Sequence, residues 1–501
     1  MTNELPSPPY RSLRASVVGG VTWMVSARWL IKGLGLVSTL ILVRLLDPSD
    51  FGVVAMANLV IGFTQMFFSL GVATALIQNP NADESHFNTA WTIGVLQSLF
   101  VTVLLILLSP VVGMYYHEPR VPLVMQVLAV GILIGGISNI GVVAFRKNLD
   151  FRSEFRLVAF RKIVSFVPTV ALAFLLKSYW ALVLGTVIGT AGGVLISYAM
   201  HPFRPRWSLQ RFNEIWHFSQ WLLVVNLGNY TYGRTDQFIV GRILTTSGMG
   251  VYAVGAEVAE LPVLEMTAPI SRVVMPSYAK VKHDADQLKD AYLRVLGVTA
   301  ALAFPITAGV ACIADSVVHL ALGGKWLAAI PIIQWLVISA GVRAIYGGAG
   351  SLMVILGHMR ELALLHWMEV LCLVIAAVSG ATMLGLEGVA MAKVAVSSVF
   401  GVIFFGRLVS HRTVSAREIT RQFLRPALAT AIMVIGLSVL FPGTAGWSNG
   451  ALLAAKVALG VVLYVGSLLG VWVLRGKPSG AEEDLVGIVR ERLELLRFAR
   501  R

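Results

Sequence analysis

Apolar runs of roughly 20 residues, the length that spans a bilayer's hydrocarbon core as a helix, follow one another along almost the whole chain. The gaps between them are too short to hold a folded module. In lipid only a helix or a closed barrel satisfies its own backbone, and runs of this length are helical. The sequence therefore predicts an all-α polytopic membrane protein. Composition agrees, because 13% of the 501 residues are charged and 57% hydrophobic, whereas an ordinary soluble domain is about a quarter charged. Too little polar surface remains to coat a soluble globule.

About fourteen helices fit the apolar pattern. The first six fall near 17–43, 50–76, 88–109, 122–144, 157–176 and 180–200. The next six fall near 217–241, 250–275, 291–313, 327–349, 362–384 and 387–406, and two more near 423–441 and 450–474. This divides the chain into a cytoplasmic segment 1–16, an N-lobe 17–200, a cytoplasmic linker 201–216 and a C-lobe 217–406. Two further helices within 423–474 and a cytoplasmic tail 475–501 complete it. In the tail, Leu485, Val489, Leu493 and Leu496 make an apolar stripe that suits the inner leaflet or a biosynthetic partner.

Orientation follows from the basic residues. Of 40 Lys and Arg, 28 lie in one alternating set of gaps that includes both termini, five in the opposite set and seven inside helices. Lys/Arg bias marks the cytoplasmic side, so both termini are expected there. The net charge of +14 is thereby mostly topology. It requires no polyanion, and no basic soluble module exists to hold nucleic acid.

The stretch Arg44–Ala55 recurs as Arg242–Ala253, with Arg, Leu, Ser, Gly, Val and Ala matching in register at Arg44/Arg242, Leu46/Leu244, Ser49/Ser247, Gly52/Gly250, Val53/Val251 and Ala55/Ala253. An even number of spans separates the copies, so they share orientation. The expectation is two parallel-repeat six-helix lobes, a transporter architecture whose substrate site lies between the halves.

The residues Leu42–Ala57 and Leu70–Gln78, with Asp236–Arg242, Leu261-Pro262 and Ser271–Pro276, also carry a family likeness. Over about residues 15–410 the chain resembles bacterial polysaccharide exporters, the lipid-linked oligosaccharide flippases of the multidrug/oligosaccharidyl-lipid/polysaccharide superfamily. Within these it is most similar to the branch holding the colanic acid and teichuronic acid exporters. The resemblance implies a V-shaped pair of lobes moving an undecaprenyl-diphosphate-linked oligosaccharide outward across a bacterial inner membrane by alternating access. A polysaccharide polymerase or biosynthesis complex is an expected neighbour.

Charges inside the bilayer are costly, at least about 2.5–3.5 kcal/mol each on insertion scales. Arg28 and Lys32 lie four apart in the first span, hence on one face. With Arg234 in the seventh span and Arg343 in the tenth, they are the candidate diphosphate contacts. Asp236 and Glu265 are candidate charge partners or coupling residues. Lys393 and Lys456 read as anchors that snorkel to the membrane surface. Glu369 and His366 are assigned no role.

Other chemistry is not expected. No phosphate-binding Gly-rich loop with Lys and no His/Glu constellation with metal spacing stands out, so no cofactor or metal is predicted. Cys312 and Cys372 sit in apolar runs and read as packing residues. Asp284-Ala285-Asp286 superficially matches a D-x-D metal motif but reads as a solvated loop. A cation-coupled multidrug antiporter of the same superfamily is the main alternative, although it would want acidic rather than basic cavity residues. A membrane glycan polymerase or ligase is disfavoured because the external gaps are short.

Overall fold

The computed structural model describes residues 29–68, 72–79, 81–148, 150–212, 230–441, 449–474 and 476. Arg28, the start of the seventh predicted span and the amphipathic tail lie outside the described residues. Among those described every regular element is helical. Among the described residues, eight helices are long and apolar enough to cross a membrane, or nine if one bent pair counts as a single span.

Contacts divide the chain into two compact units, one of Met1–Arg234 with Thr245–Gly250 and one of Thr235–Leu244 with Val251–Arg501. The first holds α1 (29–45), α2 (Pro48–Phe68), α3 (Val72–Gln78), α4 (Glu84–Tyr116) and α5 (Val121–Gly136). It continues through α6 (Val143–Lys147), α7 (Phe151–Leu176) and α8 (Trp180–Met200). Most of α9 (230–243) and α10 (Thr246–Val281) belongs to the second unit, followed by α11 (Ala285–Val317) and α12 (Ala329–Ile355). That unit ends with α13 (Met359–Ser410), α14 (Ala416–Leu440) and α15 (Asn449–Leu474).

Lipid decides which faces are apolar. Leu107, Leu195, Val402 and Val462 are exposed on their helices, a pattern that water would punish as a continuous sticky surface. In a bilayer it is the solvated face. Packing between helices instead uses small residues. The side chains facing Gly185, Gly189 and Gly193 of α8 are Thr169, Ser165 and Arg161 of α7, so this spacing brings two backbones close.

Two breaks depart from uniform spans. The fourth predicted span, 122–144, ends early at Gly136, and the helical segment Ile140–Lys147 that follows is bent by 69° from α5. Asn139 holds the break: its Nδ2 donates to the carbonyls of His201 and Phe203 at 3.0 and 2.8 Å, and its Oδ1 accepts from the Gly141 N–H at 2.9 Å. A polar side chain thus replaces the missing helical bonds.

The second break separates the two arms of α13 at Gly385, where φ is 64° and ψ −135°. A Cβ on Gly380 would lie 2.3 Å from the Gly388 carbonyl oxygen. Along an unbroken helix those residues would be about 12 Å apart. The chain therefore reverses at Gly385, and the arms correspond to the separate spans 362–384 and 387–406 expected from the sequence.

The predicted D-x-D loop is a helix start. Asp284 is the N-cap of α11, its Oδ1 accepting from the Asp286 and Gln287 N–H groups. Cys312 and Cys372 are both free thiols.

Candidate functional site

The repeated corners come first, because they fix where the neighbouring helices begin. A Cβ on Gly52 would lie 1.9 Å from the Thr246 carbonyl oxygen, and one on Gly250 would lie 1.8 Å from that of Pro48. Pro48 and Thr246 occupy the same position of the repeat, as do Gly52 and Gly250. The contact is therefore reciprocal, and only glycine lets the two helix starts meet backbone to backbone.

Side chains tie down this junction. Asp50 accepts from the Asp47 N–H at 3.0 Å and from the Tyr179 N–H at 3.1 Å. Glu118, in the turn between α4 and α5, accepts from Arg120 Nε and Nη2, each at 2.8 Å, and from the Thr246 hydroxyl at 2.8 Å. These bonds, led by that from Arg120, hold the Glu118 carboxyl at about 2.

Cations of the first unit gather along α1 and α7. Lys32 is half-buried on α1. One turn further on, Gly35 leaves room for the Lys162 ammonium, which would stand 3.8 Å from a Cβ there. Arg161 lies beside it in sequence, its stem packed over Gly193 of α8, and its buried Nε has no hydrogen-bond partner. A buried donor left open costs free energy unless something fills it. Both residues lie about three turns into α7, inside the span that the sequence predicts from 157.

The second unit holds the most buried charges described. Asp236 of α9 is fully buried. Its Oδ2 accepts from Lys393 Nζ of the second arm of α13 at 2.8 Å and from the Tyr252 hydroxyl of α10 at 2.8 Å. Lys393 Nζ also reaches Glu260 Oε1 at 3.3 Å. Asp236 Oδ1 is buried with no hydrogen-bond partner.

Lys393 is therefore no snorkelling anchor: its side chain is 6% exposed and points into the unit. Apolar neighbours gave the sequence reading no sign of the partner, which lies 157 residues away. The cluster sets the Lys393 ammonium against two carboxylates.

The remaining candidates are spread out. Arg234 is exposed and Asp236 buried, as residues two apart on a helix must diverge. Glu265 is half-buried on α10, the helix from which Glu260 reaches Lys393. Arg343 is half-buried on α12, one turn before Tyr346. Glu369, passed over in sequence, is fully buried. Its Oε1 accepts from the Tyr346 hydroxyl at 2.5 Å, and His366 Nδ1 lies 3.5 Å from its Oε2.

Comparison with known proteins adds four findings. A family described as "Polysaccharide biosynthesis protein" matches residues 41–331. The chain is 25% identical to the teichuronic acid biosynthesis protein TuaB of Bacillus subtilis (strain 168), over 69% of this chain and 73% of that protein. It is 25% identical to the lipopolysaccharide biosynthesis protein WzxC of Escherichia coli (strain K12), over 68% and 70%. The lipid II flippase MurJ, in an inward closed conformation, superposes with a TM-score of 0.72 at 12% identity, covering 90% of this chain and 99% of MurJ. At that identity the likeness concerns the fold.

Proposed function

The chain belongs to the polysaccharide biosynthesis protein family, and from that membership we propose that it is a flippase for a lipid-linked oligosaccharide. It carries its substrate from the cytoplasmic to the outer leaflet of a bacterial inner membrane, with both termini cytoplasmic, for surface-polysaccharide assembly. The carrier lipid is a polyprenyl diphosphate, and the protein works by alternating access as a transporter, not an enzyme. The observation that carries the reading is the match of the family over residues 41–331, which includes the cation-bearing helices α7 and α9.

The chemistry of the substrate fits those cations. A diphosphate brings about two negative charges, and each charge exchanges about 2.3 kcal/mol with a 100 mV potential. An inside-negative membrane therefore drives the anion outward, and the protein has to lower the desolvation barrier. Arg28, Lys32, Arg234 and Arg343, joined by Arg161 and Lys162, are the contacts proposed for the diphosphate. Asp236 and Glu265, with Glu260 and Lys393, are the groups proposed to balance or couple charge.

Purified protein in liposomes with a fluorescent polyprenyl-diphosphate oligosaccharide tests this, through accessibility of the lipid to an impermeant quencher under an imposed potential. Transfer that disappears in an Arg28→Ala, Arg234→Ala variant supports both function and site. Transfer that persists in the variant discards those residues. Absence of transfer, with drug resistance in an overexpressing strain, would point instead to an antiporter.

A further inference from the structure

Reversal of the chain at Gly385 brings the two ends of α13 together as well as its middle. His358 caps the start of the first arm, Glu361 lies in its first turn and His411 follows the end of the second. His411 Nε2 is 2.9 Å from Glu361 Oε2, and His358 Nδ1 is 4.0 Å from the same oxygen. One ligand atom from each of the three lies within 4.8 Å of the others. The imidazoles stack with centroids 4.1 Å apart and planes 21° from parallel.

From this geometry we propose that His358, Glu361 and His411 bind a divalent transition-metal ion of the zinc class. Two imidazoles and one carboxylate are a nitrogen-rich donor set that suits zinc, not calcium or magnesium, which take oxygen ligands. Arg407 Nε bonds Glu361 Oε1 and so turns Oε2 toward the imidazoles, the orienting role that outer partners play at metal sites. The side chains of His358, Glu361 and His411 are 37%, 18% and 30% exposed, so an ion reaches them from water.

Bonds of about 2.0–2.1 Å to a tetrahedral ion set donors about 3.3 Å apart. His358 Nδ1, at 4.0 Å from Oε2, must therefore move in, while the His411–Glu361 pair at 2.9 Å opens by a few tenths of an ångström. The fourth position remains open to water. Once bound, the ion clips together the ends of the two arms that the turn at Gly385 brings side by side. The inference is independent of the transport reading, since it concerns ion binding within one helical hairpin.

The test uses full-length protein in detergent, purified by a tag without histidine, with Co²⁺ as a spectroscopic probe and Zn²⁺ in calorimetric competition. One saturable ion per chain is expected, with visible cobalt absorption of a tetrahedral or five-coordinate site. Zn²⁺ should raise the melting temperature. His358→Ala and His411→Gln should each weaken binding at least about tenfold and abolish the thermal gain, while the metal-free melting temperature stays near that of the parent. The exposed His283 serves as control, and His283→Ala should bind as the parent does. Absence of saturable binding, or equal affinity in the parent and both site variants, would overturn the proposal.

Discussion

Lys393 and Asp236 form an ion pair, 2.8 Å from ammonium to carboxylate, between the second arm of α13 and α9, with neither side chain more than 6% exposed. Removing one partner leaves a buried uncompensated charge, which costs about 3–5 kcal/mol. Lys393→Ala should therefore lower stability by that order in a denaturation titration in detergent. The double variant Asp236→Asn, Lys393→Met should be less destabilised than the sum of its single changes. An additive result would mean that the two charges do not act as a pair.

Glu260 holds the same ammonium from further away, at 3.3 Å, with its side chain 29% exposed. Glu260→Gln should therefore cost clearly less than Asp236→Asn in the same titration. Equal costs would mean that α9 and α10 share the ammonium evenly.

At the corners, Gly52→Ala forces a Cβ against the Thr246 carbonyl. Overpacking of this kind costs about 1–3 kcal/mol, and Gly250→Ala should cost a similar amount. A single backbone displacement relieves both clashes, so the double variant should lose less than the two single losses combined. Melting of all three in one detergent checks this.

Glu118 makes the corner acid-sensitive. An unfolded glutamate titrates near about 4.3, whereas in the fold its carboxyl is held at about 2. Its contribution is thus fully present above pH 5 or so, and is lost as pH falls through the folded value. The parent should lose melting temperature between about pH 5 and 2 more steeply than Glu118→Gln. Parallel pH profiles would remove Glu118 from the account.

Arg161 separates transport from folding. Its Nε serves no internal hydrogen bond, so Arg161→Gln should leave the melting temperature near that of the parent while slowing transfer of the diphosphate lipid about tenfold or more in liposomes. A charge-assisted bond of about 1.5–3 kcal/mol corresponds to that loss. Unchanged transfer would release Arg161 from the proposed site.

Spans and corners were legible in the sequence for one physical reason: both are local. Hydrophobic length announces a helix in lipid, and the turn at Asp47-Pro48 is read from adjacent residues. The α13 reversal was also readable, because Gly385 separates two apolar runs. What the sequence concealed depends on distant partners. Lys393 looked like an anchor because its carboxylates stand on α9 and α10. Arg161 carried no signal of its own, because it stands near the start of a predicted span among five other Lys and Arg residues between 146 and 162. His411 joins His358 and Glu361 across about 50 residues only when the chain folds back, so no linear spacing rule could find the trio.

The corner contact has a consequence for how the two halves can diverge. Gly52 meets Thr246 while Gly250 meets Pro48, so each turn is the mould of the other. One inserted residue in either would slide its glycine off the facing carbonyl and bring a larger neighbour onto it, disturbing both contacts at once. Along the spans lipid accepts almost any apolar side chain, and drift there goes unopposed. At the turns the duplicated segments are held to a common length, and there the chain still spells the same word twice.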